Sequence, residues 1–263
     1  VIIAPRVSIA LCGLGPGGPG GGDVRAQVEW ARARGAAAVH LDATAPGVRP
    51  RDLDRSARRD LASLLRRSGL ALGGVDLWIP PEHFVEPARA DRAAAALIGA
   101  IDLAAEIADL TGDRKRVARV GVVFPQRLPV DARAVFADRA DRAWACVADH
   151  APRASETSAG ARGPLGVGID PAACLADGVD PAAAALRAGD ALHAARLSDV
   201  SRIAGGGRAV PGSGEGRLDV LAYTVALATA GFDGTLAIDV RGLSDPRAAV
   251  ETAMAALAGN APA

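Results

Sequence analysis

Short apolar runs alternate with longer helical segments along nearly all of the 263 residues, and this alternation limits the fold more than anything else in the sequence. Strand-like runs fall at 7–11, 37–41, 70–77, 119–124, 165–169, 192–197 and 235–240. Between them, helical spacing of apolar positions marks 23–34, 51–68, 91–110, 131–150, 181–188, 218–230 and 245–258. Asp23 stands where an N-cap belongs, and Gly35 and Gly69 stand just past helix ends. Repeated βα units with strands apolar on both faces imply a parallel sheet covered by helices. Right-handed crossovers leave two architectures, an open doubly wound sheet or a closed eight-fold barrel. A single domain over residues 1–263 suits the barrel, which needs about 250 residues. The fifth βα unit is the weak one. With a helix over 131–150, only residues 151–164 remain for it, so a short strand at 153–157 and a loop in place of the fifth helix are expected.

Composition removes several function classes. Lys plus Arg and Asp plus Glu both number 30, so the chain lacks the basic excess of a nucleic-acid binder. Aromatic residues are 3%, too few for a base-stacking platform. Cys12, Cys146 and Cys174 are odd in number and far apart, which fits buried thiols rather than a disulfide framework or zinc cluster. No apolar run reaches the roughly 18–20 residues of a membrane span, and residues 1–4 lack the basic start of a signal peptide. A cytoplasmic protein with no nucleic-acid or membrane partner is expected.

Gly13-Leu14-Gly15-Pro16-Gly17-Gly18 formally matches the dinucleotide fingerprint G-x-G-x-x-G, with Asp42 ending the next strand. That chemistry needs the third glycine on a helix N-terminus aimed at a pyrophosphate. Here Pro19-Gly20-Gly21-Gly22 intervenes and Pro16 removes a donor, so a loop over a barrel mouth is the better reading.

The C-terminal third carries recognisable motifs. Gly214-Glu215-Gly216-Arg217-Leu218-Asp219 resembles the G-E-G-x-[I/L]-D turn of the sugar phosphate isomerase/epimerase family, the xylose-isomerase-like TIM barrels. Gly166-Val167-Gly168-Ile169-Asp170 is similar to that family's sixth strand, LHAARLSD at 192–199 to its seventh, and Gly231-Phe232-Asp233-Gly234 with LAIDV at 236–240 to its last turn and eighth strand. The resemblance is specific over 166–240 and weak elsewhere.

It implies a (β/α)8 TIM barrel with its centre at the C-terminal strand ends, a sugar-like ligand and a possible homodimer. It also implies one divalent cation (Mn, Mg or Zn) held by a Glu after strand five, an Asp after strand six, a His after strand seven and a Glu after strand eight. Such a cation polarises a carbonyl while carboxylates exchange protons beside it. The positions carry over unevenly. Asp170 matches the metal-binding Asp. Asp239 replaces the strand-eight Glu as metal ligand and catalytic carboxylate, and Glu156 is the only candidate for the strand-five Glu. The strand-seven His is Arg196, and a guanidinium cannot ligate a metal. Arg196 is therefore expected to take the cation's place and neutralise Asp170 and Asp239, leaving a site with no cofactor. His40 falls where the family often ends strand two in Glu. Trp78 and His83 follow strand three at the mouth, as pocket wall or core and as ligand contact or surface residue respectively. Glu215 either fixes its turn or touches substrate. Three functions stay open: an isomerase or epimerase with a rebuilt metal centre, a metal-free enzyme of the same reaction class, and a non-catalytic barrel that binds a sugar-like ligand or a protein.

Overall fold

The computed structural model describes residues 6–14, 23–113, 117–152, 154, 163–203 and 205–259. Eight parallel strands close into a barrel: β1 (Arg6–Ala10), β2 (Ala38–Asp42), β3 (Ala71–Asp76), β4 (Ala118–Val122), β5 (Ala145–Asp149), β6 (Leu165–Ile169), β7 (Leu192–Leu197) and β10 (Thr235–Ile238). β10 pairs with β1 from Arg6–Thr235 to Ile9–Ile238 and so shuts the ring. This excludes the open sheet. Two short strands, β8 (Asp199–Val200) and β9 (Arg208–Ala209), form an antiparallel pair beyond β7.

Helices α1 (Val24–Ala33), α2 (Arg55–Ser68), α3 (Ala90–Thr111), α4 (Val130–Arg142), α5 (Pro171–Ala176), α6 (Pro181–Ala188), α7 (Val220–Thr229) and α8 (Pro246–Gly259) are the ones found among the described residues. Their ends follow local chemistry. Asp23, Asp54, Asp180 and Asp219 each accept backbone N–H bonds at an N-cap. Gly69 ends α2 in the left-handed region, at φ 66°. Helix α2 buries Leu61, Leu64 and Leu65, each contributing about 1.5–3 kcal/mol as it leaves water.

The fifth strand corrects the sequence reading. Residues 145–149 belong to β5 and not to a helix over 131–150; α4 stops at Arg142. The stop is made by Trp144, whose φ of 54° is unusual for a large side chain. Val147 pairs with Val120 on one side and Leu165 on the other, so 153–157 is not needed as a barrel strand. The expected loop in place of the fifth helix lies mostly outside the described residues, as do Glu156 and the glycine run from residue 15.

Glycines make room for side chains inside the barrel. A Cβ on Gly73 would stand 2.7 Å from the His40 ring, and one on Gly168 would stand 2.6 Å from the His150 ring. On the outer side, Phe84, Phe124 and Phe136 pack with centroids 5.3–6.0 Å apart. That cluster anchors the segment after β3, which carries Trp78 and His83.

Candidate functional site: an aspartate–arginine array in the barrel mouth

Three strands deliver aspartates to the same rim. Asp76 ends β3, Asp170 follows β6 and Asp239 follows β10; they are 1%, 5% and 1% exposed. Charges so deeply buried persist only when paired. Arginines supply the pairing. Arg196, the largest fully buried side chain, lies between Asp76, in ion-pair contact, and Asp239, at 3.0 Å. Arg241 grips Asp239 with Nε at 2.9 Å from both carboxylate oxygens and Nη2 at 2.6 Å from Oδ2, and reaches Asp170 at 3.2 Å. Arg208, delivered by β9, spans Asp170 at 3.3 Å and Asp239 at 3.2 Å. Ser198 Oγ donates to Asp170 at 2.5 Å and accepts from Ala172 N.

The expected pairing is thus half right and half redistributed. Arg196 does bind Asp239, but its second carboxylate is Asp76, and Asp170 is met by Arg208 and Arg241 instead. Alternation along β7 places Arg196 toward the barrel axis, where β3 is opposite; Asp170 is reached from the two loops above.

The pairing fixes protonation. Burial raises the Asp76 carboxyl, but Arg196 and then His40 override it and hold the group well below the usual carboxylate range. Asp239 behaves alike, with Arg196 and Arg241 outweighing burial. Burial lowers the Arg196 guanidinium, yet Asp76 and Asp239 more than restore it, so it stays charged. His150 moves the other way: burial, then Arg196, push its imidazole well below its ordinary value, so it is neutral at pH 7. Cys12 also belongs to this neighbourhood, and burial followed by Asp239 and Asp76 drives its thiol upward. It is not a ready nucleophile.

The candidate residues separate into groups. Asp170, Arg196 and Asp239 converge as expected. His40 joins them from below, its Nδ1 3.4 Å from Asp76 Oδ1. Trp78 lines the array as a stacking platform, with the Arg241 guanidinium carbon 3.6 Å and that of Arg196 4.4 Å from its ring centre. His83 instead lines a separate cavity beside the mouth. Glu215 is exposed in its turn, where its backbone accepts from Arg202 N. The turn is fixed by Asp199, which accepts from the backbone N–H of Val200, Arg217 and Leu218. Gly216 has no room for a Cβ because that carboxylate packs against it.

Four residues of the site lie outside the family motifs of the sequence: Asp76, Arg208, Arg241 and His150. The first had a signal, since GVD at 74–76 repeats the small–apolar–Asp ending of GID at 168–170 and AID at 237–239. His150, read as a helix end, is the residue after strand five and sits 6.1 Å from Trp78 between ring centres.

A divalent cation of the kind the resemblance implies does not fit these donors. Both oxygens of Asp239 and of Asp170 accept from guanidinium or hydroxyl groups. Among the described residues, no group of three or more His, Cys, Asp or Glu side chains is placed to hold a metal ion.

No family model matches the sequence. The chain is 41% identical over 69 residues to UDP-N-acetylmuramate–L-alanine ligase of a Nocardioides species, a match that spans 26% of this chain and 16% of that enzyme. Solved structures align over almost the whole chain. A xylose isomerase-like TIM barrel/4-hydroxyphenylpyruvate dioxygenase fusion protein aligns over 97% of this chain and 42% of its own, with a TM-score of 0.68 and 15% identity. An L-ribulose 3-epimerase aligns over 97% and 94%, at 0.69 and 13%. A xylose isomerase-like TIM barrel protein from Mycobacterium smegmatis, in complex with magnesium, aligns over 97% and 96%, at 0.69 and 13%. At such identities the shared property is the fold, and the chain has the fold of the xylose isomerase-like TIM barrels.

Proposed function

We propose that this chain is a metal-independent barrel whose mouth binds a small, hydroxyl-rich, sugar-like ligand without turning it over. One observation carries the reading: Arg196 occupies the centre of the mouth between Asp76 and Asp239. Its charge repels a cation, and carboxylates held ionised by guanidiniums are poor proton acceptors. Binding capacity remains. Asp76 Oδ2, Trp78 Nε1 and both ring nitrogens of His150 are buried polar atoms with no hydrogen-bond partner among the described residues. Buried polar groups are ordinarily satisfied, and a polyol offers the donors and acceptors that these need.

Calorimetry tests this. Titration with Mn²⁺, Mg²⁺ and Zn²⁺ should give no stoichiometric heat, while a panel of ketoses, sugar phosphates and inositol ketones should yield a ligand whose binding is lost in Trp78→Ala. Tight one-to-one Mn²⁺ binding that disappears in Asp170→Asn would overturn the reading.

A second reading is a metal-free isomerase or epimerase. The observation favouring it is His150, a neutral imidazole near two guanidiniums, with ring nitrogens that have no partner among the described residues. It would take a proton next to a carbonyl against its own depressed basicity, with Arg196 and Arg241 stabilising the enediolate that forms. Incorporation of solvent deuterium into a ketose, abolished in His150→Gln, would select this reading over the first.

A further inference from the structure

A second cavity, of about 580 Å3, opens beside the mouth between the segments after β2 and β3 and helix α3. Its size is that of a small-molecule site. Five arginines line it, Arg49, Arg51, Arg58, Arg89 and Arg92, together with His83, and none of its lining residues is acidic. The rest of the wall is mainly apolar, with Leu77, Ala93 and Ala96 among its residues.

Arg58 is fixed by Glu106 at 2.7 Å and by the carbonyls of Pro50 and Leu53. Arg49 donates to Thr44 O at 2.9 Å and shares Asp52 with Arg51, each at 3.5 Å. Arg89 pairs with Glu86 at 3.2 Å and contacts His83 Nε2 at 2.7 Å. Four of the five guanidiniums thus share Asp52, Glu86 and Glu106, while Arg92 stands next to Asp91 in the first turn of α3. Two of the arginines also sit where a helix disfavours them. Arg89 is the N-cap of α3 and Arg92 lies in its first turn, and the cap makes no side-chain hydrogen bond. The N-terminus of this 22-residue helix carries positive potential, although the N–H groups of Arg89 and Ala90 already bond to Glu86 O. An anion placed there would accept from the exposed guanidiniums of Arg89 and Arg92 and sit in that potential.

We propose that this cavity is a second ligand site, independent of the mouth, for a phosphomonoester with an apolar body. Five guanidiniums around the cavity offer more donors than a carboxylate can use, they match the three oxygens of a phosphate head geometrically, and the apolar wall takes the rest of the molecule.

The probe is 1-naphthyl phosphate, titrated by calorimetry into the full chain, with 1-naphthoate and 1-naphthol as controls. The phosphate should bind at least tenfold more tightly than the naphthoate and the naphthol. In the exposed double variant Arg89→Gln/Arg92→Gln its affinity should fall at least tenfold, with naphthol unchanged. Ala96→Phe, which fills the cavity, should weaken the phosphate and naphthol alike, and Trp78→Ala in the mouth should change neither. Equal affinity for phosphate and naphthol, or unchanged phosphate binding in the arginine double variant, overturns the proposal. So does loss of binding in Trp78→Ala but not in Ala96→Phe. Circular dichroism on each variant separates these outcomes from misfolding.

Discussion

The barrel mouth and the cavity beside it are both rich in arginine, yet they treat charge in opposite ways. In the mouth, Arg196, Arg208 and Arg241 meet Asp76, Asp170 and Asp239, and no aspartate is without a guanidinium. In the side cavity four of the five guanidiniums share Asp52, Glu86 and Glu106, and Arg92 is in none of the ion pairs found among the described residues. Burial explains the difference. Arg196 is 1% exposed, and a lone charge at that depth would cost several kcal/mol, about the whole margin of a marginally stable domain. Arg89 and Arg92 are exposed, and water screens their charge. Pairing in the mouth is a condition of folding, whereas exposed charge at the rim is a condition that a ligand can exploit.

The sharpest way to break this contrast is to remove one carboxylate from the mouth. Asp239→Ala leaves Arg196, Arg208 and Arg241 short of a shared partner. It should destabilise the fold by about 3–5 kcal/mol, read as a lowered midpoint in urea unfolding. A loss below about 1 kcal/mol would show that the array is hydrated and contributes little to folding. Next in size is Gly168→Ala, whose Cβ would stand 2.6 Å from His150. Overpacking of this kind costs about 1–3 kcal/mol, and an unchanged unfolding midpoint would mean that the imidazole moves freely.

Much of this arrangement could be read before the fold was seen. The bounds of β6, β7 and α6 agree with the sequence pattern residue for residue: Pro164 and Asp170 flank β6, Asp180 and Gly189 flank α6, and Asp190 and Asp199 lie one residue beyond the neighbours of β7. Strand β5 could not be read in the same way. ACVAD at 145–149 is Ala-rich, and the break before it is made by Trp144 in a conformation that glycine normally signals. A sequence pattern has no mark for a tryptophan in a glycine's place, so the strand merged into the preceding helix, and His150 was read as a helix end. The aspartates were legible because each ends an apolar strand. Their partners were not, since Arg208, in the two-residue strand β9, and Arg241, in the turn after β10, fall outside the apolar runs of a chain where nearly every base is Arg. Only the closing of the ring brings those segments together.

A smaller effect probes the neutral group among the mouth's charges. His150 is surrounded by Arg196, Arg241, Asp76 and His40, and its folded value is depressed. The unfolded chain therefore binds the proton first. Stability from this source is complete above about pH 6.5 and is lost as pH falls below that, with a slope of up to about 1.4 kcal/mol per pH unit. His150→Gln should flatten the fall in unfolding midpoint between pH 7 and pH 5. An unchanged slope would place the proton uptake elsewhere.

The smallest effect is expected at the rim, and it is the one that makes the comparison quantitative. Arg92 is exposed, no carboxylate partner for it is found among the described residues, and it opposes the dipole of α3. Arg92→Gln should therefore shift stability by less than about 0.5 kcal/mol, in the stabilising direction. The same exchange at position 196 would remove the bridge between two buried aspartates and unfold the chain at far lower urea. Should Arg92→Gln instead destabilise by more than about 1 kcal/mol, the rim arginines would be structural like those of the mouth, and the distinction between the mouth's paired charge and the rim's exposed charge would have to be redrawn.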